Sequence, residues 1–320
     1  MTEGLTPYIS PAMLLSSALG ISWKTFPRPG ASDPEVIASL LDICWALTSD
    51  MDTIANMTLR ATQDTETELG PDFIITLKSN GWARFRMTTW PILYLVGGEV
   101  SPASSNPPTW NPIPASALIP EHSGLPHTGS LVPSVSPGPT AAMIAPGYVD
   151  FNNGRNGYLV SITTLSGWPV CGIDVAASAG DSSIHVDDIA GWYLSGTGGS
   201  RGVIYDPPLR EVVTPNGVTP DVTGAITGPG TLSLSNPLQF THTPNVGGIA
   251  QADQRILLSA MPPALIQAGY YFGNHYGLMR GATAAVMQSA RGGAAPSSLK
   301  AANDWYEMGV KQVSRFARVP

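Results

Sequence analysis

Amphipathic helical periodicity is confined to the two ends of this chain, and this restricts the folds open to it. Near the start, Ser10-Pro11 predicts a short helix, and capped apolar repeats predict a longer one over 34–56. Near the end, periodicity predicts a helix that begins or kinks at Pro262-Pro263 and runs to about 288, and a last helix capped by Ser297 or Ser298. Amphipathic helices bury their apolar stripes against one another. We therefore expect an α+β fold with a helical core from the N- and C-terminal helices.

The middle of the chain carries the signals of β-structure. Two β-like runs over 73–77 and 83–87 flank Asn80-Gly81, a strong hairpin signal. After residue 157 further short runs are separated by clusters of Gly, Pro, Asn and Asp, which predicts a sandwich- or barrel-like insertion. These later runs cover 158–164, 183–186, 191–194, 202–205, 210–214 and 231–234.

Residues 101–147 contain 11 prolines in 47 positions, a density that argues against a regular helix or a central strand. We interpret the segment as a long Pro-rich extended arm that lies along a neighbouring subunit. Composition alone fits a flexible linker equally well. The arm is nevertheless more apolar than a linker needs, which favours docking. The candidate inter-subunit residues are Trp110, Ile113, Leu118 and Ile119.

These patterns divide the chain into four parts. The predicted parts are 1–100 with the N-terminal helices and a β-hairpin, 101–147 with the Pro-rich arm, 148–252 with the β-rich insertion, and 253–320 with the C-terminal helices and a docking tail.

Charge is distributed unevenly along the chain. Residues 1–254 hold 9 Lys and Arg against 21 Asp and Glu, whereas residues 255–320 hold 7 against 2. The net charge of −7 argues against general affinity for nucleic acid. The basic C-terminus suggests an anchor in which Phe316 is an aromatic plug between cationic groups, and the alternative is a solvated helix face with a frayed tail. The docking candidates are Lys311, Arg315, Phe316 and Arg318.

Catalytic and metal-binding motifs are weak in this sequence. The glycine-rich run 196–202 lacks the Lys-Ser/Thr of a phosphate-binding loop. His185, Asp187 and Asp188 have no second histidine nearby, so we interpret them as a hydrated turn rather than a metal site. We expect no enzyme activity, no cofactor and no metal. We also expect Cys44 to be a buried free thiol and the chain to have no membrane span.

The order of these elements resembles that of the head–tail connector (adaptor) proteins of long-tailed bacteriophages. The segments that carry the resemblance are Tyr8-Ile9-Ser10-Pro11, the helix over 33–56, residues 84–87, Thr89-Trp90-Pro91-Ile92, Glu99-Val100-Ser101-Pro102, the Pro-rich run around Trp110, the β region from 181–186 to 210–213, and the closing helix pair over 260–316.

The resemblance implies a structural virion protein at the head–tail interface that assembles in the host cytoplasm. It implies a homo-oligomeric ring, typically of twelve subunits, under the portal protein and above a tail-side neck protein such as a stopper or terminator. It also implies that C-terminal segments reach the portal and that genomic DNA passes through the lumen without sequence-specific binding.

Other functions stay open at this point. One is another neck or minor tail structural protein. A second is a β-sandwich carbohydrate-binding module that grips its ligand through Trp168, Trp192 and Tyr193. A third is a hydrolase whose carboxylates are brought together by the fold.

Overall fold

The structure is a computed structural model, and the chain in it divides into two compact units. Unit 1 comprises Met1–Leu59, Val170–Ile189 and Arg201–Pro320, and unit 2 comprises Arg60–Pro169 and Ala190–Ser200. The structure describes residues 5–17, 21–23, 26–27, 30–69, 76–77, 83–87, 91–102, 105–122, 125–126, 141–145, 158–192, 201–244, 255–280, 283–284 and 298–317.

Unit 1 contains the helices that the sequence predicts at the two ends of the chain. They are α1 Pro11–Leu15, α2 Asp33–Ala55, α3 Pro263–Met279 and α4 Ser298–Val313. α3 packs against the other three helices, so the predicted α+β fold with a shared N- and C-terminal helical core is confirmed. The α3 prediction is wrong at its C-terminus, because the helix ends at Met279 rather than near 288.

Local chemistry explains where the first two helices begin and end. The Ser10 side chain accepts a hydrogen bond from the Met13 amide and caps α1. At the start of α2, the Ser32 amide donates to the Glu35 carboxylate at 2.9 Å. Asn56 ends α2 with a left-handed backbone at φ 54°, a conformation that Asn tolerates better than most residues.

A stripe of glycines on α3 lets the N-terminal segment approach the helix closely. Successive members lie four residues apart, on one face of the helix. A Cβ at any of the three positions would collide with a buried side chain of the N-terminal segment. The pairs are Gly269 with Ile9, Gly273 with Leu14, and Gly277 with Trp23. The indole of Trp23 in turn donates to the Leu14 carbonyl at 3.0 Å.

The strands of the described residues form four antiparallel sheets. In chain order they are β1 Ile21–Ser22, β2 Thr62–Leu69, β3 Thr76–Leu77, β4 Ala83–Arg86, β5 Ile92–Pro102, β6 Asn111–Ile113, β7 Leu118–His122, β8 Leu125–Pro126, β9 Ala141–Ile144, β10 Tyr158–Ser166, β11 Val170–Ile173, β12 Ser183–Val186, β13 Gly202–Asp206, β14 Leu209–Val213, β15 Pro215–Pro220, β16 Gly230–Leu234, β17 Ile256–Ser259 and β18 Thr283–Ala284.

Unit 1 holds a seven-stranded sheet with the order β14-β13-β17-β11-β12-β16-β15 and a short pair of β1 with β18. The central strand β11 and its neighbour β17 are buried along their whole length, as expected for strands covered on both faces. β17 comes just before α3 in the chain, which ties this sheet to the helical core of the same unit.

Unit 2 is built from two sheets that share one hydrophobic core. The four-stranded sheet has the order β2-β10-β5-β6, and the five-stranded sheet has the order β3-β4-β9-β7-β8. Side chains of both sheets belong to a single buried cluster, the arrangement of a β-sandwich. Its large members include Phe85, Ile92, Val100, Ile113, Leu118, Ile144, Val160 and Ile162.

The described part of the Pro-rich segment 101–147 folds into unit 2. Strands β7 and β9 occupy inner positions of the five-stranded sheet, so the expectation that proline excludes a central strand is wrong there. Pro112 lies on the edge strand β6. On one side of β7, Pro120 is paired with Ala142 of β9. On the other side, the described pairing of β7 with β8 begins at Glu121, one residue after Pro120. Residues 127–140 of the predicted arm lie outside the described residues.

The two units cut across the four predicted parts. Unit 2 takes residues from the first, second and third parts, because β10 pairs with both β2 and β5 over long sequence separations. Sequence order alone does not reveal such pairing.

Candidate functional site

The C-terminal end of α4 presents two cations on the surface of unit 1. Lys311 and Arg315 are both exposed, and we call this pair the basic end. After Val313 the backbone tightens: the Phe316 amide donates to the Val313 carbonyl at 2.8 Å, and the Ser314 hydroxyl donates to the Val310 carbonyl at 2.6 Å. This turn directs Arg315 outward.

Phe316 does not have the exposure that an aromatic plug would need. Its side chain is only 8% exposed, so the ring already packs within its own chain. The interpretation of Phe316 as a free plug is therefore wrong, because the turn after α4 folds it inward with Val313. Arg318 lies outside the described residues. Of the four docking candidates, Lys311 and Arg315 therefore remain, and these are the two residues of the basic end.

From the middle of α4 onward the exposed charges change from acidic to basic. Asp304 and Glu307 come first, followed by Met308, which is 38% exposed, by Lys311 near the end of the helix, and by Arg315 in the turn after it. Lys311 lies in the last turn of α4, where the helix dipole favours a cation. Beyond Glu307 the described part of α4 holds no further acidic side chain. The end is thus positioned to pair with carboxylates of a partner.

Aromatic packing against α3 holds α4 in place. Tyr271 lies 5.4 Å from Trp305 and Phe272 lies 5.4 Å from Tyr306, measured between ring centroids. A Cβ at Gly309 would lie within 3 Å of the Phe272 ring, so the two helices meet there at close range. Lys311 consequently sits on a helix that is packed within its own unit, and Arg315 sits on the hydrogen-bonded turn that follows.

The arm candidates lie within unit 2 where the structure describes them. Ile113 is 2% exposed and Leu118 is 5% exposed, and both belong to the core cluster of unit 2. Trp110 is partly buried, and for Ile119 the structure describes only the backbone, which faces Met143 in the sheet. Ile113 and Leu118 are therefore corrected to core residues, because pairing of β6 and β7 buries them inside their own chain.

A fully buried histidine lies between two carboxylates in the β-part of unit 1. His242 Nδ1 is 3.0 Å from Asp206 Oδ2, and His242 Nε2 is 3.0 Å from Glu211 Oε2. The His242 side chain has no exposed surface, and Glu211 is 5% exposed. Burial alone would lower the pKa of His242, but the hydrogen bonds and the negative charge of the two carboxylates outweigh it and raise that pKa.

A second histidine has the same kind of environment nearer the surface. His185 Nδ1 lies 2.7 Å from Asp174 Oδ1, and His185 Nε2 lies 3.2 Å from Asp221 Oδ2. The histidine side chain is 28% exposed and that of Asp221 is 51% exposed, so solvent screens this cluster more than the His242 cluster. Burial opposes its charge, and the two aspartates overcome this and raise the pKa of His185.

Asp187 is a buried structural carboxylate rather than part of a hydrated turn. It is 5% exposed and accepts hydrogen bonds from the Thr6 hydroxyl at 2.7 Å and the Gly172 amide at 2.6 Å. Arg255 Nη1 lies 2.8 Å from the same carboxylate. Asp188, also 5% exposed, accepts from the Gly228 amide at 2.9 Å. The hydrated-turn interpretation is wrong, because backbone amides and Arg255 replace water here.

Sequence reasoning missed the His242 cluster altogether. Asp206, Glu211 and His242 come from β13, β14 and a later loop, and each lies in an unremarkable local sequence. The spacing of 31 residues between Glu211 and His242 carries no motif. The single available signal was a histidine in a chain that holds five.

Other predicted sites are resolved as follows. Among the described residues, no group of three or more His, Cys, Asp or Glu side chains could hold a metal ion. Cys44 is a buried free thiol, as expected, and burial raises its pKa. Trp168 and Trp192 are 1% and 0% exposed, and Tyr193 lies outside the described residues. The two tryptophans therefore cannot form the platform of a carbohydrate site.

Helices in the described ranges are too short or too polar to cross a bilayer. Comparison with known proteins found no matching family model, no matching curated protein and no matching solved structure.

Proposed function

We propose that this chain is a structural virion protein, a head–tail connector that forms a ring under the portal protein and continues the DNA channel towards the tail. The proposal joins the resemblance in element order to the chemistry of the surface. In this assembly the partners are further copies of the chain, the portal above and a tail-side neck protein below. The viral genome passes through the lumen during ejection.

The observation that carries the proposal is the basic end. Lys311 lies on a helix that aromatic packing fixes to α3, and Arg315 lies on the turn after that helix, in a chain whose first 254 residues are strongly acidic. Exposed cations on a rigid helix are suited to docking onto an acidic protein surface. The buried Phe316 supports the same role indirectly, because it anchors the turn that carries Arg315.

The acidic balance of the remaining chain supports the channel part of the proposal. Residues 1–254 hold 12 more acidic than basic residues, as 21 minus 9. Proteins that grip DNA neutralise phosphates with Lys and Arg. A wall rich in carboxylates repels phosphate, so DNA slides past it without being trapped.

Charge reversal at the basic end tests the proposal. We expect the double variant Lys311→Glu, Arg315→Glu to lose portal binding by 10-fold or more, because each cation would be replaced by a repelling anion. Binding is measured by surface plasmon resonance on the portal protein of the same phage, with negative-stain electron microscopy of the rings. Both side chains are exposed, so the fold should be retained.

The matched control is Lys300→Glu, which reverses an exposed cation at the other end of α4. It should leave portal binding unchanged. Equal portal affinity of the double variant and the wild-type chain would reject the docking role of the basic end. Rings that fail to bind any portal would favour another neck or minor tail protein instead.

A further inference from the structure

Residues 239–242 are held to the β13–β14 hairpin by one ionic cluster. The Glu211 carboxylate accepts from the amides of Gln239 at 2.6 Å and Phe240 at 3.3 Å, in addition to its contact with the His242 ring. The backbone of His242 pairs on its other side with Ala177, through hydrogen bonds of 2.8 and 2.9 Å. The histidine thus joins three separate stretches of chain within unit 1.

Counting donors shows which form of His242 this geometry requires. A neutral imidazole has one N–H and one acceptor nitrogen, whereas an ionised carboxylate only accepts. While both carboxylates are ionised, only the imidazolium form gives each of them a hydrogen bond at the observed 3.0 Å from the two ring nitrogens. Such charge-assisted hydrogen bonds are roughly twice as strong as neutral ones.

The charged groups that face the ring are Asp206 from the end of β13 and Glu211 from β14. The third element against His242, the stretch around Ala177, meets it through backbone groups and adds no charge at the point of contact. In the described structure the ring is therefore the one cation between two anions. Its loss of a proton changes the cluster from a net charge of −1 to −2 in a site without exposed histidine surface.

We propose that His242 is a proton-operated latch that holds residues 239–242 against the β13–β14 hairpin when charged and releases them when neutral. Removal of the proton leaves Glu211 as a buried carboxylate without a cation, which is a costly state. The loop relieves that cost by moving so that water reaches Glu211. Phe240, which is already 38% exposed, moves away from the β13–β14 hairpin together with the loop. This latch is independent of the proposed function.

Nuclear magnetic resonance on the intact protein tests the charge state. A long-range nitrogen–proton spectrum of the imidazole distinguishes the imidazolium from the two neutral tautomers. We expect His242 to carry both N–H protons at pH 7 and to titrate above the ordinary value of about 6.5. A neutral ring at pH 7 would overturn the proposal.

Hydrogen exchange tests the release. The protection factors of the Gln239 and Phe240 amides should fall at least 10-fold as His242 titrates, while those of α2 stay constant. Unchanged protection of the two amides across the titration would show that the histidine does not hold the loop.

A variant and its control separate the latch from general loosening. Glu211→Gln removes one anion, so the titration of His242 should move down by about one pH unit or more. Asp181→Asn removes an exposed carboxylate that also accepts a backbone amide, from Ser178 at 2.7 Å, but does not contact the histidine. An equal shift of the His242 titration in both variants would contradict the latch. If Glu211→Gln does not fold, the His242 titration and amide protection of the wild-type protein test the latch instead.

Discussion

At the scale of single residues, Asp187 and Asn274 show opposite ways of burying a polar side chain in unit 1. Asp187 has a hydroxyl, a backbone amide and a guanidinium as partners. Asn274, on α3, is 1% exposed, and neither its amide nitrogen nor its oxygen has a hydrogen-bond partner among the described residues. A satisfied buried group maintains the fold, whereas an unsatisfied one weakens it.

Replacing Asn274 should therefore stabilise the protein. We expect Asn274→Leu to raise the free energy of unfolding by about 1 kcal/mol, because it removes two unsatisfied polar atoms and keeps a similar volume. Urea denaturation followed by circular dichroism measures this. Asn303→Leu, at an exposed position of α4, is the control and should change little. A loss of stability in Asn274→Leu would show that the side chain does have a partner.

Removing Asp187 should have the opposite effect. Asp187→Ala removes the carboxylate that pairs with Arg255 and that accepts hydrogen bonds from Thr6 and Gly172. We expect the free energy of unfolding to fall by about 3 kcal/mol. The control is Asp181→Ala, which removes an exposed aspartate with one backbone contact. Equal loss in the two variants would contradict the structural role of Asp187.

At the scale of elements, the contact of α3 with the N-terminal segment depends on small residues. Gly269, Gly273 and Gly277 create a groove, and Ile9, Leu14 and Trp23 fill it. Glycine lowers the intrinsic stability of a helix, by about 1 kcal/mol for each residue relative to alanine. The close packing offsets this cost, since dispersion contacts and the burial of Trp23 depend on it.

A larger side chain in this groove should disrupt it. We expect Gly273→Val to lower the free energy of unfolding by about 2 kcal/mol, because its side chain would collide with Leu14. The emission of Trp23 should also shift towards that of exposed tryptophan. Gly97→Ala is the control, since a Cβ there meets no atom within 4 Å. Unchanged stability of Gly273→Val would show that α1 can move aside.

Elements with strong local signals were predicted well, and those that depend on distant partners were not. α2 has a cap, a capping carboxylate and an apolar stripe, and its bounds agree with the prediction within a residue. β7 and β9 were missed because proline density is a local signal, whereas β9 is held in the sheet by β4, which comes much earlier in the chain, and in turn pairs with β7. The His242 cluster was missed for the same reason, since no local motif marks its three residues and only the fold brings their side chains together.

At the scale of the whole molecule, two histidines link stability to pH. The pKa values of His185 and His242 are both raised in the folded state. The folded chain then binds more protons than the unfolded chain between the unfolded value, about 6.5, and the raised values. The stabilisation is fully present below pH 6.5 and is lost as the pH rises through the folded pKa values.

We therefore expect the urea midpoint to fall as the pH is raised from 6.5 to 8.5. The His185→Gln, His242→Gln double variant should lack most of this slope, because glutamine does not titrate. His275→Gln is the control, since His275 Nδ1 donates to the Ala302 carbonyl and has no carboxylate partner in the described structure. A wild-type midpoint that is constant or rises over this range would contradict the prediction.

The pairing of the two chain ends within unit 1 also has a consequence for how the protein is made. The hydroxyl of Tyr276 on α3 donates to Asp50 on α2 at 2.7 Å, across 226 residues of sequence. A ribosome that adds 5–20 residues each second needs at least about ten seconds to cover that interval. Throughout this time α2 has emerged without the helix that covers its apolar face. Productive folding of α2 thus has to wait until α3 has been synthesised, and a chaperone that shields α2 during synthesis would raise the yield.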